Sequence, residues 1–177
     1  MDGIANHLQA VRQRIQTAER AAGRQSGSVQ LIAVGKFQPA QSLKRVYEEG
    51  QRAFGENYVQ EALDKMQALQ NLSGLERHLI GPLQSNKTRV VAEHFDWVHT
   101  LDREKIARRL SEQRPAHMPP LNVLLQVNSS NEETKSGVEP AAVSSLAHAI
   151  DALPGLRLRG LMSIPAPADT YQAQRAA

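Results

Sequence analysis

Val29-Gln30-Leu31-Ile32-Ala33-Val34-Gly35-Lys36 is the stretch on which the fold turns. Residues 29–34 read as a buried β-strand, a short apolar run rich in β-branched side chains. Gly35 and Lys36 follow at once, which places a lysine at the mouth of a hydrophobic core. Desolvation there disfavours the ammonium form and lowers the pKa. A neutral amine can attack an aldehyde and form a Schiff base. From spacing alone, a lysine that extends its ammonium out of a strand end into water weighs equally.

Outward from this strand the chain alternates helix and strand patterns. Upstream, Ile4, Leu8, Val11 and Ile15 form one face of an amphipathic helix, with Gly23 as its stop. Downstream, Pro39 opens a helix that carries Leu43, Val46 and Tyr47 and stops at Gly50. Further strands are predicted at 53–55, 78–81, 97–100, 121–127 and 158–164, with a helix after each of the first four. Residues 128–138 form a polar loop, followed by a helix with Val143, Leu146 and Ile150. After Pro165 a loop leads into the first turns of another helix.

This alternation predicts βα units and a parallel sheet. A (β/α)8 barrel and a doubly wound open sheet both fit. The Gly-x-Gly-x-x-Gly fingerprint is absent after the first strand, which disfavours a dinucleotide fold. Lys36, Glu56-Asn57, Gln84-Ser85-Asn86-Lys87, Asn128 and Ser163 all follow strand C-terminal ends, where a barrel carries its site. The barrel is therefore favoured. Only about six of its eight strands are counted in residues 1–177, so a single barrel domain without its last two βα units is expected.

Composition narrows the function. The chain has 177 residues, a net charge of +3 and 41% hydrophobic content, enough for one domain with a real core. No apolar run approaches the roughly 18 residues of a membrane span. The N-terminus lacks a signal-peptide pattern. There is no cysteine, which excludes thiolate catalysis and thiolate zinc sites and fits a cytoplasmic location. Aromatic residues make up only 4%, too few for an obvious base-stacking surface, so neither nucleic acid nor membrane is expected as a partner. The six histidines show no metal-ligand spacing.

Several polar positions have an ordinary explanation. Asn57, at a strand–helix junction, reads first as an N-cap, although in a barrel it can point at whatever Lys36 holds. Ser85 reads as a helix cap whose free N–H groups would suit an anion. Glu132-Glu133 and Glu48-Glu49 read as solvated charges. Residues 131–137 read equally as surface or as a loop covering a site.

Five stretches together resemble the pyridoxal phosphate homeostasis family: 31–36, 54–61, 78–87, 135–137 and 159–165. These proteins are single-domain barrels similar to the N-terminal domain of alanine racemase. The resemblance covers essentially the whole chain. It implies that Lys36 carries pyridoxal 5'-phosphate as an internal aldimine, that Asn57 lies close to the cofactor and that Met162 lines the pocket. It implies no catalytic residue and no metal ligand. Its implied role is to bind and buffer vitamin B6 cofactor in the cytoplasm as a monomer, with apo-enzymes that use pyridoxal phosphate as candidate recipients. A racemase-like enzyme or a Schiff-base aldolase on the same barrel is the alternative.

The chain departs from the family pattern. Gly35-Lys36-Phe37-Gln38-Pro39 stands where the family usually has Ser-Lys-Thr-Lys-Pro, so a nearby positive charge is lost at Gln38. Arg77 stands where the family usually has Trp. The family's phosphate loop and an Arg-Ile-Gly segment are expected beyond Ala177. Residues 1–177 alone are therefore expected to bind the cofactor weakly. The family's arginine at the pyridine nitrogen opposes the protonation an electron sink needs. A racemase also takes its opposite base from a second domain, so a cofactor carrier is expected over a racemase.

Overall fold

The computed structural model of the protein describes residues 3–129 and 136–176. Six parallel strands form one sheet: β1 (Ala33–Val34), β2 (Ala53–Glu56), β3 (Glu76–Leu79), β4 (Trp97–Leu101), β5 (Leu121–Gln126) and β6 (Leu156–Met162). Their order in the sheet is β1-β2-β3-β4-β5-β6, the order of the chain. A doubly wound sheet reverses direction at a switch point. Strictly sequential order is that of a barrel wall, which settles the choice between the two architectures.

Among the described residues seven α-helices accompany the strands. They are α1 (Gly3–Ala21), α2 (Ala40–Glu48), α3 (Val59–Ala68), α4 (Thr88–His94), α5 (Glu104–Gln113), α6 (Val143–Asp151) and α7 (Tyr171–Ala176). The expected stops hold. Gly23 and Gly50 follow α1 and α2 with φ of 64° and 84°, conformations that a side chain disfavours. Pro39 is the extended residue before α2.

Register sorts the sheet into two faces. Leu79, Val98, Val123 and Leu158 lie in one row across β3 to β6. They pack against Val91, Ala107, Leu110 and Ile150 of the surrounding helices. Phe95 and Leu101 are fully buried in the same core. The adjacent row, Gly55, His78, Trp97, Asn122 and Arg157, occupies the opposite face. Apolar residues thus meet the helices, and a polar and aromatic row turns away from them.

Three strands differ from expectation. The first is only Ala33–Val34, and Val29 and Val34 are exposed rather than buried. β1 pairs with β2 alone, so its other edge contributes no ladder and its free face no cover. β3 and β6 each begin two residues before the predicted start, because Glu76-Arg77 and Leu156-Arg157 join the ladder despite their charges. The loop motif at 131–135 and the Glu132-Glu133 pair lie outside the described residues.

Phe95→Ala should lower the unfolding free energy in urea by about 3–5 kcal/mol, since it opens a cavity in a fully buried site. Ile164→Ala, at a 62% exposed position, should change it by less than about 0.5 kcal/mol.

Candidate cofactor site

Lys36 follows β1 in a tight turn. Gly35 N–H donates to Gly55 O at 2.9 Å, extending the pairing with β2 by one residue. Gln38 N–H then donates back to Gly35 O at 2.9 Å, closing a turn with Lys36 and Phe37 at its centre. Phe37 has φ of 61°, a left-handed conformation that costs a non-glycine residue roughly 1–2 kcal/mol. Gly35 has no room for a side chain: a Cβ would collide with Glu56 Oε1 and press on Leu43.

The turn is held from below by a cluster that sequence reading did not find. Lys65, on α3, points inward with 9% side-chain exposure. Its ammonium donates to Gly35 O at 2.5 Å, to Glu56 Oε1 at 2.8 Å and to Glu61 Oε1 at 2.6 Å. Glu61 Oε1 also accepts the Phe37 N–H at 2.6 Å. One ammonium therefore joins the ends of β1 and β2 to α3. The two carboxyls respond oppositely. Burial pushes Glu56 above its usual value despite Lys65. The hydrogen bond from Lys65 holds Glu61 below it.

Lys36 itself is exposed, as are Val34 (50%) and Phe37 (72%). The expectation of a lysine kept dry by its strand is therefore corrected. Among the described residues β1 ladders with β2 alone, which places this turn at an edge of the sheet.

Asn57 is not an N-cap. Tyr58 takes that position on α3 with no side-chain capping bond. Asn57 Oδ1 is buried without a hydrogen-bond partner in the protein. The backbone of Asn57 lies against Gly81, where any Cβ would collide with the Asn57 carbonyl oxygen. Thr100 Oγ1 donates to Gly81 O at 2.7 Å, tying the ends of β3 and β4 together at the same place. Val34 pairs with Gly55. Lys36 and Asn57 therefore stand each two residues beyond this pair, at adjacent strand ends.

Met162 ends β6, the opposite edge strand, and is half-buried in register with Gln126. It shares an end of the sheet with Lys36, but the sheet does not bring the two together. Ser85 caps nothing: it opens a single 3₁₀ turn (Ser85–Lys87), and its carbonyl accepts from Thr88 Oγ1 at 3.0 Å. Arg77 lines a cleft of about 450 Å³ with Gln67, Gln70, Glu93 and His94 of α3, α4 and the segment between them. Its replacement of a family tryptophan therefore falls outside the Lys36 site.

Below Lys36 the polar face is filled by a histidine pair. His78 Nδ1 and His99 Nε2 share a hydrogen bond of 2.9 Å, and His78 stacks on Trp97 with centroids 5.5 Å apart. Glu76 anchors the group, accepting from Trp97 Nε1 and Gln30 Nε2, each at 2.7 Å. Its Oε2 lies 3.4 Å from His78 Nε2, close but poorly directed for a hydrogen bond. Burial lowers the pKa of His78 and brings that of His99 down to about 4. The pair therefore stays neutral at pH 7, with one ring nitrogen donating and the other accepting.

Comparison with known proteins places this geometry. The profile of the alanine racemase N-terminal domain matches residues 6–177. The chain is 54% identical to the pyridoxal phosphate homeostasis protein of Escherichia coli K12 over 98% of its own length and 75% of that protein's. It is 55% identical to the protein of the same name from Pseudomonas aeruginosa PAO1, over 100% of this chain and 76% of that one. The chain belongs to the pyridoxal phosphate homeostasis protein family. PipY of Synechococcus elongatus PCC7942, solved with PLP bound, superposes with a TM-score of 0.81 at 37% identity, covering 97% of this chain and 74% of PipY. Alanine racemase from Clostridium difficile 630 superposes at 0.68 with 14% identity over 92% of this chain and 44% of that enzyme, a likeness of fold alone. No helix among the described residues is long and apolar enough to cross a membrane.

The histidine pair makes stability pH-dependent. As pH falls from about 6.5 towards 4, the unfolded chain binds protons that the folded pair refuses, so stability falls. Glu56, shifted upward, works against this trend in the carboxylate range. Urea unfolding at pH 7 and pH 5 should show the loss, and His99→Gln should reduce the difference between the two pH values.

Proposed function

We propose that this chain binds pyridoxal 5'-phosphate through Lys36, with Asn57 and Met162 beside the cofactor, and holds it in reserve in the cytoplasm rather than catalysing a reaction. In this proposal residues 1–177 form the larger part of a single cofactor-binding barrel domain whose last two βα units they lack, and apo-enzymes that require the cofactor are its recipients. The observation that carries the proposal is the placement of Lys36 and an orphaned Asn57 Oδ1 at adjacent strand ends. A buried acceptor without a partner is costly, and a bound ligand that donates to it removes the cost. Family membership and the PLP-bound relative support the choice of ligand.

Bound here, the cofactor would supply an aldehyde, and Lys36 would be the residue that holds it through its amine. The chain's own residues then have distinct parts. Lys36 provides the nucleophilic nitrogen from a turn of fixed shape. Asn57 offers an acceptor to the ligand. Gly81 leaves the space that the Asn57 backbone occupies. The His78–His99 pair, neutral and hydrogen-bonded to itself, closes the floor without adding charge.

Nothing in this arrangement calls for turnover. Proton transfer at a substrate carbon needs a base within reach on each face. His78 and His99 are committed to each other, and His99 holds a proton poorly at neutral pH.

Adding pyridoxal phosphate should produce an absorbance band near about 420 nm that Lys36→Ala abolishes. Retention of the band in that variant would reject Lys36 as the anchor. Incubation of the loaded protein with L-alanine should leave its chirality unchanged; steady inversion would favour the racemase alternative.

A further inference from the structure

We propose that Lys65 and Glu61 are positioning residues for Lys36: they lock the turn that aims its amine, without touching the cofactor. This rests on the assignment of Lys36 as the cofactor lysine. The two residues grip the turn on both sides of Lys36. Lys65 Nζ binds the carbonyl of Gly35, the residue before it, at 2.5 Å. Glu61 Oε1 binds the N–H of Phe37, the residue after it, at 2.6 Å. The two grips are themselves joined by the 2.6 Å Lys65–Glu61 ion pair.

The backbone inside this clamp is one the chain would not adopt unaided. Phe37 sits at φ 61°, where a residue with a side chain is strained, and strain of this kind persists only when the surroundings over-determine it. The absence of a Cβ at Gly35 lets Glu56 Oε1 approach and complete the ammonium's third bond. β1 itself is only two residues long. Lys36 is exposed and would otherwise sample many directions. Attack on an aldehyde depends steeply on approach geometry, and a misplacement of about 1 Å can cost on the order of 100-fold.

Lys65 and Glu61 are four apart on α3, the spacing of an ordinary surface ion pair. What separates them from one is burial and direction. Lys65 is almost completely enclosed and bonded to the backbone of another element, thirty positions away in sequence.

The test uses the 177-residue chain and separates holding the cofactor from reacting with it. Pyridoxal 5'-phosphate at millimolar concentration reports formation of the covalent bond through the rise near about 420 nm and the mass adduct fixed by borohydride. Pyridoxine 5'-phosphate, which carries an alcohol in place of the aldehyde, reports binding alone by calorimetry. Hydrogen exchange at the Phe37 amide, measured without any ligand, reports the clamp. Glu61→Ala should speed Phe37 exchange and slow the covalent step by about tenfold or more. It should leave pyridoxine phosphate affinity within about twofold, since the clamp does not touch the ligand. Glu61→Gln, which keeps an oxygen for the Phe37 N–H, should restore most of the rate. Lys65→Met should behave as Glu61→Ala does. Should it fail to fold, Glu61→Ala decides, because the Glu61 side chain is already 26% exposed. A wild-type covalent rate in folded Glu61→Ala would overturn the positioning role. Equal loss of pyridoxine phosphate binding would overturn it too, by making Glu61 part of the binding surface. Persistence of the band in Lys36→Ala would instead overturn the cofactor assignment, leaving the exchange result as the measure of the clamp alone.

Discussion

A single buried ammonium organises the end of the sheet where the cofactor site lies. Lys65 reaches from α3 to the carbonyl that closes β1, to the carboxylate that ends β2 and to a carboxylate one turn back on its own helix. A cation withdrawn from water survives only when each of its protons is taken, and here all three are. The result is a crossing point for three elements, β1, β2 and α3. The main core reaches its fullest burial further along the sheet, at Phe95, Leu101, Leu110 and Leu125. Near Lys36 hydrophobic packing thins to Leu43, Phe54 and Leu69, and polar bonds replace it.

At the turn after the two-residue β1, hydrogen bonds from Lys65 and to Glu61 hold the backbone on either side of Lys36. Asn57 Oδ1, unpartnered beside it, keeps an acceptor in reserve. Deeper in, His78 bonds His99 and Trp97 bonds Glu76, and the two imidazoles remain neutral beside the carboxylate.

The sheet was legible in the sequence where apolar runs were long. Leu121-Asn122-Val123-Leu124-Leu125 alternates buried and half-buried positions and is β5 almost as predicted. Glu76 and Arg77 were not legible as strand, because no local pattern reveals where their charged side chains go: Glu76 accepts from Trp97, and Arg77 lines a cleft between helices. The burial of residues 29–34 was over-read, since an apolar run does not state how many neighbours its strand will have. Lys36 was visible by its place after a strand. Lys65 was not: Glu61 and Lys65 at four-residue spacing look like any solvent-facing pair, and only the packing of α3 on β1 and β2 turns them inward. The His78–His99 contact joins two strands 21 residues apart. Once β3 and β4 are aligned, both residues fall on the face turned from the helices, so register rather than motif would have found them.

The most direct test of Lys36 as the cofactor lysine is peptide mapping after borohydride reduction of the protein mixed with pyridoxal phosphate. The account predicts that the added mass resides on the peptide containing Lys36, while Lys65, with its three hydrogen bonds occupied, stays unmodified. Dominant modification at Lys65, or at a lysine remote from the end of β1, would contradict it.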